Sequence, residues 1–178
     1  TNIFGTKLFR IKALVEFGNV KAGELGGYIE KEENLSQYGN AWVCGDAWVC
    51  GNARVYGNAR VYGDAWVCGN AEVCGNAWVY GDAEVCEDAR VYGDAWVCGN
   101  ARVYGNDDFA TVHGFGSEHR TTTFFRLKDG NIGVRCGCFY GNLSEFRKKV
   151  VETHGETKKA KEYLMIADLM EFRFSDNS

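Results

Sequence analysis

No apolar run in the 178 residues approaches eighteen, the length a helix needs to cross a bilayer, so no membrane partner is expected. Charge of one sign is lacking too. Residues 39–106 hold four basic and eight acidic side chains, 1–38 hold five of each and 107–178 eleven of each, giving a formal net charge of -4. A protein held on DNA through its phosphates needs a basic excess, so long duplex nucleic acid is not an expected partner. Histidine is scarce: His113, His119 and His154 all follow residue 106. Nothing at the start reads as a signal peptide, so the chain is expected to be soluble and cytoplasmic with reduced thiols. No motif asks for a cofactor. The length suits one ordinary domain, or a repeat array with a small appendage, and either can bury a core.

What the chain has in abundance is a six-residue period. From Gly39 to Asn106 it repeats glycine, Asn or Asp, Ala, a variable residue, Val, and Cys or Tyr, broken once where Glu87 replaces the glycine. Such a period is the signature of a parallel β-helix. Along each short strand Ala and Val share one side, the variable residue and Cys or Tyr the other. The constancy of Ala and Val makes them the inward pair. Glycine and the following Asn or Asp form the corner, because both tolerate positive φ. Three strands close a coil of eighteen residues. Six of the eight cysteines fall in the repeat where Tyr otherwise stands, a packing slot and not a disulfide framework.

An aliphatic residue followed four places later by a small one, as in Val43 and Ala47 or Val97 and Ala101, resembles the left-handed β-helix of hexapeptide-repeat proteins. The resemblance spans about 70 residues, and the left hand is what it implies. The fold class expected is mainly β: a single-stranded left-handed parallel β-helix with a small C-terminal ββαα (α+β) unit. The expected divisions are N-terminal strands over 1–20, the β-helix over 21–106 with a capping coil at 21–38 and regular hexads at 39–106, and a C-terminal domain over 107–178. In that last part, strands at 121–127 and 132–139 flank the hairpin signal Lys128-Asp129-Gly130-Asn131. Ser144 is read as the cap of one helix and Thr157 of a second.

Residues eighteen apart stack at about 4.8 Å, which turns the sequence into three faces. One carries Trp42, Arg60, Trp78 and Trp96 beside Cys44, Tyr62, Tyr80 and Cys98. It is too aromatic to leave in water. Either copies of the chain cover it, as in the homotrimers common among hexapeptide-repeat proteins, or the terminal segments fold back on it. Arg60 among tryptophans points to a small flat anionic ligand such as a nucleotide, or to a cation–π ladder. The candidate ligand-binding set is Trp42, Arg60, Trp78, Trp96, Tyr62 and Tyr80. Asp46, Asp64 and Asp82 stack at one corner. They are the candidate cation site, with raised pKa values as the alternative. Cys50, Cys68 and Cys86 form a thiol column best read as packing.

Hexapeptide-repeat proteins include acyltransferases using acyl-CoA, which implies a catalytic histidine. His113, in Thr111-Val112-His113-Gly114-Phe115-Gly116, is the candidate base. The hexads lack the protruding loop such enzymes use. A second resemblance, to phage and prophage hexapeptide-repeat proteins, rests on Gly23-Glu24-Leu25-Gly26-Gly27-Tyr28-Ile29-Glu30, on Glu33-Asn34-Leu35-Ser36 and on Arg135-Cys136-Gly137-Cys138-Phe139. It implies a phage-encoded protein acting on a host component in the host cytoplasm. The reading is therefore a non-enzymatic binding protein for counter-defence, sequestering a small nucleotide signal or inhibiting a host protein. Acyl transfer and a structural or assembly role are the alternatives.

Overall fold

Alanine and valine of every hexad from Ala47 to Val103 are wholly buried, forming one alanine and one valine column along each face of a three-sided solenoid. A computed structural model describes residues 2–3, 5–116 and 118–175. Each face is a parallel sheet of very short strands. One runs Leu25–Ile29, Trp48–Val49, Trp66–Val67, Glu84–Val85 and Arg102–Val103, with Phe9–Lys12 pairing antiparallel at its edge. The aromatic face stacks Trp42–Val43, Arg60–Val61, Trp78–Val79 and Trp96–Val97. The third stacks Leu35–Gly39, Arg54–Gly57, Glu72–Val73 and Arg90–Val91. Trp66 lies opposite both Trp48 and Glu84, so the eighteen-residue coil is present in register.

The corners explain the second residue of the hexad. At one corner the side chains run Asn40 to Asn58 to Asn76 to Asp94, each amide nitrogen donating to the oxygen one coil later at 2.9–3.1 Å. At a second, Lys31 donates to Asn52, Asn52 to Asn70 and Asn70 to Asp88. An amide both donates and accepts, whereas a carboxylate only accepts. Asparagine can therefore propagate such a ladder and aspartate can only end it. The third corner carries Asp46, Asp64 and Asp82, all exposed, and has no such ladder. Among the described residues no group of three or more His, Cys, Asp or Glu is placed to hold a metal ion, so these aspartates do not converge as the candidate site required.

Asn34 closes the N-terminal end. It is buried within a 3₁₀ turn, Glu32–Asn34, and donates to the carbonyls of Ala53 at 2.7 Å and Gly51 at 3.2 Å. At the other end the chain turns into a four-stranded antiparallel sheet, Phe109–Val112, Thr122–Arg126, Ile132–Cys136 and Phe139–Asn142, in that order. The two central strands are the expected hairpin, and the outer two extend it. Phe109, Phe125 and Leu127 join the alanine and valine columns in one core, so this sheet plugs the solenoid. Two helices follow, α1 (Leu143–His154) and α2 (Lys158–Phe174). Phe146, Val150, Tyr163, Ile166 and Met170 cover Phe124 and Val134 on the sheet.

Two expectations need correcting. Asn142, not Ser144, caps α1: its side chain accepts from the Glu145 amide at 2.9 Å, and Glu145 accepts from the Asn142 amide at 2.8 Å. That reciprocal pair satisfies two otherwise orphaned donors. Thr157 caps α2 as expected. The thiols are not all free. Cys68 and Cys86 form a disulfide between neighbouring coils, with Cα atoms 4.5 Å apart, because stacked strands bring equivalent positions within bonding reach.

Glu84 ties the solenoid to the hairpin, accepting from Lys128 at 2.8 Å and from the Tyr104 hydroxyl at 2.9 Å. Burial alone would raise the Glu84 pKa, but Lys128 and Tyr104 outweigh it and the carboxyl sits below its usual range. A depressed folded pKa contributes stability present above the unfolded value of about 4.3 and lost as pH falls through the folded one. Urea midpoints measured from pH 6 to pH 3 should therefore fall as Glu84 is protonated. In Lys128→Met that fall should be shallower, and an unchanged slope would contradict the assignment.

Candidate functional site

The aromatic face is a stack in two columns. Trp78 and Trp96 lie 5.2 Å apart at 13°, Tyr62 and Tyr80 4.9 Å apart at 4°, and Tyr80 meets Trp96 edge-on at 6.4 Å. Burial pushes up the pKa values of the Tyr62 and Tyr80 hydroxyls and of the Cys98 thiol, so this wall stays uncharged apart from its arginines. The chain itself covers both ends. Phe17 packs edge-on against Trp42 at 5.5 Å, leaving Trp42 buried. The Arg60 guanidinium lies against Gly18, where an added Cβ would sit 3.3 Å from Nη2. Trp78, Tyr62 and Tyr80 remain half-buried in between. Folding back of the terminal segments thus accounts for the two ends of this face.

At the C-terminal end the face meets the antiparallel sheet, and a cavity of about 430 Å³ opens between them, lined by Asp94, Trp96, His113, Arg120, Thr121, Arg135 and Gly137. Trp96 ends the aromatic stack, and its backbone amide donates to Thr123 Oγ1 at 3.0 Å. His113 and Thr121 stand on either side of the loop joining two sheet strands, with His113 Nδ1 3.0 Å from Thr121 Oγ1. Gly116 of that loop is pressed against the Tyr163 hydroxyl of α2, so the helix layer supports the cavity wall. This is one place where glycine is required: φ is +75° and a Cβ would collide with the Tyr163 ring.

Arg135 closes the opposite wall. Its guanidinium sits 4.9 Å from the Trp96 ring centre and donates through Nη1 to the carbonyls of Cys138 and Phe139 at 3.3 and 3.4 Å. Its Nε is buried with no hydrogen-bond partner among the described residues. A buried donor left unpaired costs about 1–3 kcal/mol, offset here in part by the contact with the Trp96 ring. Arg120 packs on Gly137, where a Cβ would lie 2.8 Å from Nη1. Its ion pair with Glu118 at 3.6 Å joins two exposed side chains and is worth little in water. A larger cavity of about 980 Å³ lies beneath α2. There Arg90 is already bound to Glu72 at 2.8 Å and Arg173 pairs with Asp107 at 3.6 Å. The smaller cavity offers the less committed positive charge.

The geometry divides the candidate residues. Trp96 and His113, singled out for different reasons, line the same cavity. Trp42 and Arg60 lie at the far end under Phe17 and Gly18. Both faces of the Trp96 indole are taken, by Trp78 and by Arg135, so a flat ring cannot be sandwiched there as the aromatic ladder suggested. Sequence reasoning missed Asp94, Arg120, Thr121 and Arg135. The one available signal was Arg135 within Arg135-Cys136-Gly137-Cys138-Phe139. What this arrangement can do is hold a small anion, with two guanidiniums, an imidazole and a hydroxyl converging on one space.

Comparison with known proteins matches residues 53–69 to a family model described as YdcK Beta solenoid repeat. The match covers about one coil of the repeat, in agreement with the architecture. No curated protein matches the chain.

Proposed function

We propose that this chain is a non-enzymatic binding protein that takes a small phosphate-bearing anion into the cavity walled by Trp96, His113, Arg120 and Arg135. The observation that carries the reading is Arg135, a guanidinium held in place on Trp96 and lining the same cavity as Arg120. The resemblance to phage hexapeptide-repeat proteins gives the biological setting: a phage-encoded protein that withdraws a nucleotide-type signal of the host. Aromatic contact with the ligand would then be edge-on from Trp96 and face-on from His113, not an indole sandwich. The half-buried stretch Tyr62, Trp78 and Tyr80 is the surface for self-association, and a trimer is the expected assembly. Native mass spectrometry of gently purified protein should show a trimer carrying a nucleotide-sized mass that denaturation releases. A clean, ligand-free oligomer would shift the reading to inhibition of a host protein, and a monomer would remove the intersubunit surface.

A second reading, acyl transfer, is favoured by the presence of His113 in the cavity. It requires His113→Ala to abolish turnover of an acyl-CoA donor, whereas the binding reading requires no turnover in either form.

A further inference from the structure

The cavity is not uniformly positive. Asp94 lines it together with Arg120 and Arg135, yet among the described residues it forms no ion pair with either. Asp94 Oδ1 accepts from Asn76 at 2.9 Å, and Asn76 is held by Asn58, which is held by Asn40. Every amide in this ladder points its donor toward Asp94. The exposed carboxylate therefore stands at the end of a hydrogen-bonded column, oriented from outside the cavity. No described group donates to its second oxygen.

A carboxylate beside an anion site lowers the affinity of every anion unless the ligand presents a donor to it. Resting on the reading of the cavity as an anion site, we infer that Asp94 is a specificity residue. The ligand class is a phosphate monoester whose far end carries N–H or O–H donors, as the ribose hydroxyls and base amino group of a ribonucleotide do. Its phosphate lies at Arg120 and Arg135 and its donor end faces Asp94. Bare polyanions, which bring only acceptors, are repelled. Selectivity thus comes from an unfavourable element as much as from the arginines.

The test compares adenosine 5′-monophosphate with pyrophosphate by isothermal titration, using the dialysed full chain as wild type, Asp94→Asn and Arg120→Ala. Asp94→Asn keeps the ladder, since the new amide oxygen accepts from Asn76 as the asparagines below it do, and circular dichroism should show an unchanged fold. Wild type should prefer the nucleotide. Asp94→Asn should bind pyrophosphate at least tenfold tighter and narrow the preference by a similar factor. Arg120→Ala should weaken both ligands together. If wild type binds both probes and their ratio does not move in Asp94→Asn, the inference fails while the anion site stands. If wild type binds neither, both fail.

Discussion

Arg135→Ala is expected to reduce the uptake of a phosphate-bearing ligand about a hundredfold, and Arg120→Ala about tenfold. The difference follows from their surroundings. Arg135 is anchored on Trp96 and by two backbone carbonyls, and its Nε is buried. Arg120 is exposed and shares its charge with Glu118. A hydrogen bond to a charged group contributes about 1.5–3 kcal/mol, and each 1.4 kcal/mol is a factor of about ten. Arg135→Lys should not restore binding, because an ammonium lacks the planar fork that stacks on the indole while donating in two directions. Loss of the guanidinium also removes a cation–π contact worth about 0.5–2 kcal/mol, so the variant should melt slightly earlier. Titration calorimetry beside thermal melting separates the two effects. Wild-type affinity in Arg135→Ala would place the ligand elsewhere.

Gly75→Ala is expected to destabilise the solenoid by about 2–4 kcal/mol, a large part of the 5–15 kcal/mol typical of a folded domain. Gly75 has φ +70°, and an added Cβ would lie 2.9 Å from the backbone nitrogen of Gly93 in the next coil. The left-handed conformation alone costs about 1–2 kcal/mol for a residue with a Cβ. The collision adds to that, because the coil above cannot retreat without breaking the amide ladder between Asn58, Asn76 and Asp94. Glu87 provides the opposite experiment. It occupies a glycine position of the hexad with φ +55°, so Glu87→Gly should stabilise by about 0.5–1 kcal/mol through relief of that strain. The substitution is tolerated where it stands because stacking at this corner ends there. The backbone N–H groups of Asn52 and Asn70 donate to the carbonyls of Gly69 and Glu87, and Gly105, one coil further, lacks the positive φ of the other corner glycines. Urea midpoints for the two variants should move in opposite directions, and a stable Gly75→Ala would mean that the corners yield more readily than their geometry implies.

The solenoid was readable from the sequence because its order is periodic. The strict return of Ala, Val and Gly at fixed intervals states which side chain is inside, which is at the corner and what stacks on what. The corner ladders follow from the same positions once the acceptor-only nature of aspartate is considered. The cavity has no such period. It forms where Arg135, in a non-repeating hairpin, closes over Trp96, nearly forty residues earlier, and where a loop bearing His113 is braced by Tyr163 on the last helix. Trp96 and His113 could each be singled out by residue type, but their proximity depends on how the sheet plugs the last coil. The strands Phe109–Val112 and Phe139–Asn142 were missed for a related reason. They are four residues long and lack alternation, so pairing with the hairpin decides their conformation.

The two amide ladders make the length of the molecule a counted quantity. Lys31 starts one ladder, Asp88 and Asp94 end the two, and the asparagines between them are interchangeable links. Whole coils can be gained or lost by duplication or deletion of eighteen residues while the N-terminal cap and the cavity keep their own chemistry. Each such event moves the two ends apart or together by about 4.8 Å. The fold is in this sense a ruler with fixed fittings at its ends, and its span can drift over evolutionary time independently of what the cavity recognises.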